Sequence, residues 1–335
     1  MNEFELIERI FLQLQAEHSA AAGIQKAIGD DAAVMALPTG SRLVSCIDTL
    51  VQGRHFSPDW KQVDTLAFAI GYKAVAVNVS DIAAMGAAPH SILLALALPE
   101  RLANESWLTA FAKGLFHACQ LFGVSLIGGD TTRNDTLVLS ISAQGLLTSD
   151  TPAIYRSGAQ VGDKVYVSGT LGDAAYALQH PDDTSGLELA HRLHMPTPRV
   201  KLGAALAQLG ATSMIDISDG LYQDLSHICK QSGVGMHLYL EQLPTSKPLA
   251  KIDLSKRLLY QLTGGDDYEL AFTLPAHIEL PIDSSDTPVH CIGEVVAAAQ
   301  QPYPKLLFYN QVITQAAPAP FDTYPNLTGY QHFAG

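Results

Sequence analysis

The chain has 335 residues, 47% of them apolar and 16% charged, a balance that fills a substantial core and excludes a disordered chain. Its formal charge of -13, from 33 acidic and 20 basic residues, argues against nucleic acid as the main partner, because a phosphate backbone selects basic surfaces. Chains of this length divide rather than extend one core, so two domains are expected, with the alanine, glycine, valine and leucine abundance of an α/β protein.

In chain order, residues 3–17 read as a helix, with Phe4, Ile7, Ile10, Phe11 and Leu14 on one side. The opening "MNEFELIERIFLQL" is acidic and amphipathic, unlike a secretion signal. No uninterrupted apolar stretch approaches about 20 residues, so no membrane span is expected and a cytoplasmic location follows. Residues 42–48 read as a strand ending at Asp48, and 64–86 as one long helix or two, closed by Gly86 and Pro89. "SILLALALP" is a strand, "ESWLTAFAKGLFHACQLFG" a helix stopped at Gly123, "VSLIGGDTT" a strand running into a glycine turn, and "TLVLSISAQGLL" another strand. The turn-rich segment 149–163 marks the boundary, giving domains 1–150 and 151–335. Next come the strand "KVYVSG" and a helix start at "TLGDAAYAL", capped by Thr170 with Asp173 reciprocating. "MPTPR" interrupts again; residues 213–233 read as a strand or turn entering a helix, and "YELAFTLP" as a strand. Cys46, Cys119, Cys229 and Cys291 are scattered, with neither zinc-ribbon pairs nor disulfide density, and read as buried thiols.

The informative feature is aspartate beside glycine after apolar stretches: Asp30, Asp31, Asp48, Asp81, Asp130, Asp216, Asp219, Asp266 and Asp267. Taken singly, each is more often a turn or cap residue. Together they form a hard-oxygen donor set suited to Mg²⁺ shared with phosphates, and their mutual repulsion suggests more than one ion. In Asp30-Asp31, neighbours alternate faces, so one carboxylate ligates while the other braces the loop. Asp216 and Asp219 lie three apart and share a face in a helical turn, with the Ser218 hydroxyl between them. No P-loop, opening GxGxxG or HExxH occurs, so phosphate binding needs another scaffold. "LIGGDTTR" offers one, a glycine-turn nest at Gly129 beside Asp130 and Arg133.

Other positions keep two readings. Arg156 reaches an anion or is surface; His55 contacts substrate or is structural; Lys73 snorkels or answers a carboxylate. Asn78 and Asp81 sit on an alanine-rich helix that would bury them at a cost unless they serve a purpose. Tyr330 and Phe333 stack on a heteroaromatic ring or pin the C-terminus.

In order, "IGDDAAV", "DTLVQGRHF", "GYKAVAVNVSDIAAMGA", "LIGGDTTR", "DISDGL", "GGDDYEL" and "GYQHF" resemble the thiamine-monophosphate kinase family over nearly the whole chain. That family shares a superfamily with aminoimidazole ribonucleotide synthetase, selenophosphate synthetase and a hydrogenase maturation factor. The resemblance implies a two-domain α/β (α+β) fold, N-terminal sheets paired across a homodimer, ATP as co-substrate and thiamine monophosphate as acceptor. Carried over motif by motif, Asp30, Asp48, Asp81, Asp130, Asp216 and Asp219 are implied as Mg²⁺ ligands, with Cys46 and Ile47 on the metal-bordering strand. Asp30, Asp130 and Asp216 are implied to carry the transfer. Gly129, Asp130, Arg156 and Ser218 are implied as ATP contacts, and His55, Asp266, Asp267 and Tyr330 as contacts on the thiamine side.

The chain departs from the family pattern at Ile47, where a hydroxyl normally precedes the aspartate, and at "FAKG", where Ala112 and Lys113 leave no tyrosine ahead of the glycine. Altered metal or nucleotide affinity is expected rather than loss of activity. The competing readings are another ATP-dependent enzyme of the superfamily and a non-catalytic nucleotide sensor.

Overall fold

A computed structural model of the chain describes residues 7–16, 21–56, 65–280, 287–298, 304–308 and 311–312. These fall into two compact units: 1–83 with 87–151, and 84–86 with 152–335.

The first unit opens with a π-helical turn, Ile7–Leu12, that tightens into the short helix α1, Gln13–Ala16, rather than one uniform helix. Strands β1 (Ile24–Lys26) and β2 (Val34–Met35) form a small ladder around the "GDD" loop. A four-stranded sheet follows, built from β3 (Arg42–Val51), β4 (Ala88–Leu98), β5 (Ser125–Arg133) and β6 (Val138–Leu147) in the order β3-β6-β4-β5. Strand β3 runs three residues past the expected end at Asp48, because its ladder with β6 continues to Val51↔Val138.

Helix α2 (Ala67–Ala84), up to Ala83, and helix α3 (Glu105–Phe122) belong to the same unit. Helix α3 begins where the Asn104 side chain accepts the Trp107 N–H at 3.0 Å, and ends at left-handed Gly123, φ 70°. The two helices meet at glycines. A Cβ on Gly114 would lie 1.9 Å from the Phe68 carbonyl oxygen, and one on Gly71 would lie 2.1 Å from that of Phe111. Helix α2 is apolar on nearly all sides. By length and composition it could cross a membrane, yet 83% of it is buried in the protein, as expected of a core helix.

One face of the sheet is packed, with Leu94, Leu96, Leu139 and Ile141 buried. The other is open: Leu43 is 50% exposed, Ile47 66% and Leu93 39%. Ile47 pairs with Ser142, which pairs in turn with Leu93, so these residues share one row.

The second unit holds a seven-stranded, mostly antiparallel sheet ordered β13-β12-β9-β11-β7-β10-β8. Its strands are β7 (Lys164–Ser168), β8 (Ser213–Asp216), β9 (Val234–Tyr239), β10 (Leu270–Leu274), β11 (Val289–Ala297), β12 (Pro304–Phe308) and β13 (Gln311–Val312). Helices α4 (Asp173–Gln179), α5 (Thr184–His194), α6 (Val200–Leu209), α7 (Leu221–Ser232) and α8 (Leu254–Thr263) complete it. Val165, Val167, Ile215, Leu225, Met236, Leu262 and Ala271 form one core cluster, and Phe272, Met214 and Leu206 centre another.

Helix α4 corrects one expectation. Its N-cap is left-handed Gly172, without a side-chain cap, while Thr170 donates to Asp173 Oδ2 at 2.5 Å. The Gly172 N–H is taken instead by Asp267 Oδ2 at 2.7 Å, a partner 95 residues away.

Candidate functional site

Each unit gathers part of the acidic set, and the local reasons differ. In the first unit, alternation along β3 sends Cys46 and Asp48 to one side and Ile47 to the other. Asn78 of α2 joins helix to strand: its Oδ1 accepts the Asp48 N–H at 3.0 Å, its amide donates to the Ala74 carbonyl, and its own carbonyl accepts from the Cys46 thiol at 3.4 Å. The buried polar side chain is therefore satisfied, which explains its place on an apolar helix. Burial, then the charges of Asp81 and Asp48, raise the Cys46 thiol above its ordinary pKa, so both carboxylates lie beside it. A neutral thiol is a poor ligand for a hard cation. Ile47 projects an alkyl group onto the open face and offers an ion only main-chain oxygen.

Asp30 lies exposed in the β1–β2 loop, paired with Lys26 at 3.4 Å. Its Oδ1 accepts the Asp31 N–H, and that bond, ahead of Lys26, lowers its pKa. Asp130 and Gly129 correct the expected nest. They sit inside strand β5, paired with Ala95 and Leu94 in a parallel ladder, so the glycines make strand rather than a turn. A Cβ at Gly129 would fall 2.0 Å from the Leu94 carbonyl oxygen, so the strands approach too closely for any other residue. A small cavity of about 50 Å³ adjoins them, walled by Phe11, Ile28, Leu94 and Leu126. His55 accepts the Val51 N–H through Nδ1 at 3.0 Å, closing the turn after β3.

In the second unit, "DISDG" and "GGDDYEL" come together. The Asp266 N–H donates to the Ser218 carbonyl at 2.9 Å, the Tyr268 N–H to the Ile217 carbonyl at 2.8 Å, and the Ile217 N–H to the Glu269 carbonyl at 2.8 Å. Strands β8 and β10 continue this ladder from Asp216↔Leu270. Asp216 and Asp219 do not share a helical turn, because β8 ends at Asp216 and α7 begins only at Leu221. Their carboxylates nonetheless converge on Asp224, which sequence reading missed. Asp224 is 2% exposed and its Oδ2 accepts three successive N–H groups, from Ser218 at 3.2 Å, Asp219 at 3.2 Å and Gly220 at 3.1 Å. Burial, then Asp216 and Asp219, raise its pKa well above the usual carboxylate value. The only hint in the sequence was a third carboxylate in the first turn of the helix that "SDG" opens.

Arg156 is exposed in the segment leading to β7. After burial, its charge and that of Lys230 hold His227 below its ordinary pKa, while Asp219 opposes them, so Arg156 and Asp219 share one electrostatic neighbourhood.

Asp266 and Asp267, inseparable by sequence, part company here. Asp266 is half-buried, with its Oδ1 accepting from the Tyr268 hydroxyl at 3.0 Å. Asp267 is instead turned into the core at 1% exposure, contrary to the expectation that it faces substrate. Tyr330 and Phe333 lie outside the described residues. Among the described residues, no three His, Cys, Asp or Glu side chains form a closed metal-binding group.

Residues 29–147 match the N-terminal domain family of AIR synthase related proteins, and residues 160–279 match its C-terminal domain. A thiamine-monophosphate kinase of Salmonella typhimurium is 39% identical, covering 99% of this chain and 98% of its own. The chain belongs to the thiamine-monophosphate kinase family. The enzyme of Bacillus subtilis is 34% identical over 82% of this chain and 84% of its own. A crystal structure of the Stenotrophomonas maltophilia kinase superposes with a TM-score of 0.80 at 39% identity, covering 93% of this chain and 98% of that one. AaThiL complexed with AMPPCP and TMP superposes at 0.71 and 30% identity, covering 92% and 94%. Hydrogenase maturation protein HypE, at 18% identity and 0.73, shares the fold.

Proposed function

We propose that this chain transfers the γ-phosphoryl group of ATP to thiamine monophosphate, yielding ADP and thiamine diphosphate. The observation that carries the reading is the ladder joining "DISDG" to "GGDDYEL", which sets metal-type carboxylates beside a candidate substrate carboxylate. Its family membership and the relative complexed with AMPPCP and TMP support it.

The donor chemistry fits Mg²⁺. Asp216 and Asp219 crowd Asp224, and Asp48 and Asp81 crowd Cys46, so each unit holds paired carboxylates of the hard-oxygen type. Asp30, Asp48, Asp81, Asp130, Asp216 and Asp219 would hold the ions, with main-chain oxygens of Cys46 and Ile47 at their border. When bound, Mg²⁺ supplies charge neutralisation between two phosphate chains that otherwise repel.

The chain's own residues bind and align. Gly129, Asp130, Arg156 and the Ser218 hydroxyl engage ATP, with Arg156 offering donors for charge on the migrating group. His55, Asp266 and Tyr330 engage the thiamine side, and Asp267 supports from within. The acceptor phosphate, whose second pKa is about 6, is largely dianionic at neutral pH and needs no general base. Its terminal oxygen forms the new bond to Pγ as the bond from Pγ to the β,γ-bridging oxygen breaks, and ADP departs with that electron pair.

The reading further takes the protein as a cytoplasmic homodimer, pairing through the open sheet face that carries Leu43, Ile47 and Leu93. To test the activity, purified protein is mixed with ATP, Mg²⁺ and thiamine monophosphate, and products are separated by chromatography. Thiamine diphosphate and ADP in equal amounts, with little free phosphate, are expected; ADP with free phosphate and no thiamine diphosphate would overturn the reading.

A further inference from the structure

Glu269, the glutamate of "GGDDYEL", is fully buried immediately ahead of β10. Its carboxylate receives four donors: Arg199 Nε at 2.7 Å and Nη2 at 2.5 Å, Arg192 Nη2 at 2.7 Å, and the Ser168 hydroxyl at 2.5 Å. Burial opposes its charge, but Arg199 first and then Arg192 outweigh burial, so its pKa falls below the ordinary value. Left-handed Gly169, φ 59°, leaves room for this carboxylate; a Cβ there would lie 2.1 Å from Glu269 Oε1.

The network extends from Glu269 back along the same motif. Arg192 Nη2 also lies 3.4 Å from the Asp267 carbonyl oxygen and 3.5 Å from that of Thr170. Two residues just ahead of Glu269 occupy the left-handed region without being glycine: Asp266 at φ 67° and Tyr268 at φ 50°. Such conformations persist only where the surroundings over-determine them, and they cluster at ligand clamps. Buried ion pairs add little net stability over apolar packing of the same shape, so stability is a poor explanation for two arginines on one buried glutamate. Holding a specific backbone conformation is a better one.

We infer that Arg192, Arg199 and Glu269 form a clamp that fixes the Asp266–Tyr268 backbone and so aims the Asp266 carboxylate at the thiamine-monophosphate side. The inference rests on the assignment of Asp266 to that side. The three are positioning residues. They act through Asp267 and Tyr268 and touch no substrate. Arg192 lies in the last turn of α5, and the interruption "MPTPR" that follows supplies Arg199.

The test compares Arg199→Lys, which keeps the charge but loses the two-pronged contact, with Ser168→Ala, which removes one donor to Glu269 and, because the buried Ser168 Oγ also accepts the Leu270 N–H at 2.9 Å, is expected to cost about 1–3 kcal/mol of stability. Three quantities are measured well below the unfolding midpoint: KM for each substrate, thiamine-monophosphate binding by calorimetry without ATP, and hydrogen exchange at the amides of Asp266 and Tyr268. In Arg199→Lys, KM and Kd for thiamine monophosphate are expected to rise about 10- to 100-fold, the loss typical of a misplaced contact. KM for ATP should stay within about twofold, and the two amides should exchange faster than those of residues 271–274, which do not bond to the Ser168 hydroxyl. Ser168→Ala should shift the same quantities in the same direction by less. Equal shifts for both substrates, or exchange at Asp266 and Tyr268 unchanged in both variants, would overturn the clamp. Should wild type fail to bind thiamine monophosphate, the activity reading falls, and the exchange comparison alone then decides whether the clamp stands.

Discussion

Replacing Asp224 with alanine removes a single oxygen on which three consecutive main-chain N–H groups converge, at 3.1 to 3.2 Å. At about 1 kcal/mol for each net hydrogen bond, and more for the buried Gly220 N–H left without an acceptor, the loss comes to about 2–4 kcal/mol. In a unit of this size that corresponds to a fall in unfolding midpoint of about 5–15 °C. Asparagine behaves differently. Its amide oxygen still accepts, and it carries no charge to be crowded by Asp216 and Asp219, so Asp224→Asn is expected within about 1 kcal/mol of wild type. The assay is urea unfolding of wild type and both variants at neutral pH, together with the Mg²⁺ concentration giving half-maximal turnover. Alanine should also raise that concentration, because the loop it frees carries Ser218 and Asp219. Equal loss in the two variants, or a cost below about 0.5 kcal/mol for alanine, would refute the view that the three N–H groups depend on this oxygen.

Asp130→Ala should lower kcat by about 100-fold or more, while stability changes by less than about 0.5 kcal/mol, since the side chain is exposed on β5; unchanged turnover in a steady-state assay would remove Asp130 from the site. Gly114→Ala places a methyl group 1.9 Å from the Phe68 carbonyl and should cost about 1–3 kcal/mol or more despite the better helix former, which a thermal melt would register. Asp267 is buried, and burial raises its pKa well above the ordinary 3.8. The folded state therefore holds a proton that the unfolded chain gives up, so the stability linked to this group is full below 3.8 and declines as pH climbs through the higher folded value. In Asp267→Asn that decline disappears, and the difference in unfolding free energy, variant minus wild type, should grow between pH 4.5 and 7.5; a constant difference in urea titrations would contradict this. Ile47→Thr swaps an apolar side chain for a hydroxyl on the open face of β3, away from Asp48, so the Mg²⁺ requirement should hold while the homodimer weakens; a lowered Mg²⁺ requirement in metal-dependent kinetics, or an unchanged dimer in sedimentation, would contradict this.

The sequence by itself determined the features whose causes are local. Gly123 stops helix α3 because a left-handed residue acts within one turn. The ordered acidic motifs announced the family, and the carboxylates at apolar strand ends announced hard-cation chemistry. Tertiary structure decided which of those side chains face outward and what holds them. Asp267 lies inward because Gly172, 95 residues earlier, offers it an N–H, while Asp266, its chemical twin, stays half-exposed under the Tyr268 hydroxyl. Gly129 looked like a turn, yet the parallel ladder with β4 drew it into a strand. Asp224 and Glu269 were illegible for the same reason. A buried carboxylate is identified by the donors around it, and those donors, the N–H groups of one loop and two arginines from the end of α5 and the start of α6, converge only once the chain has folded.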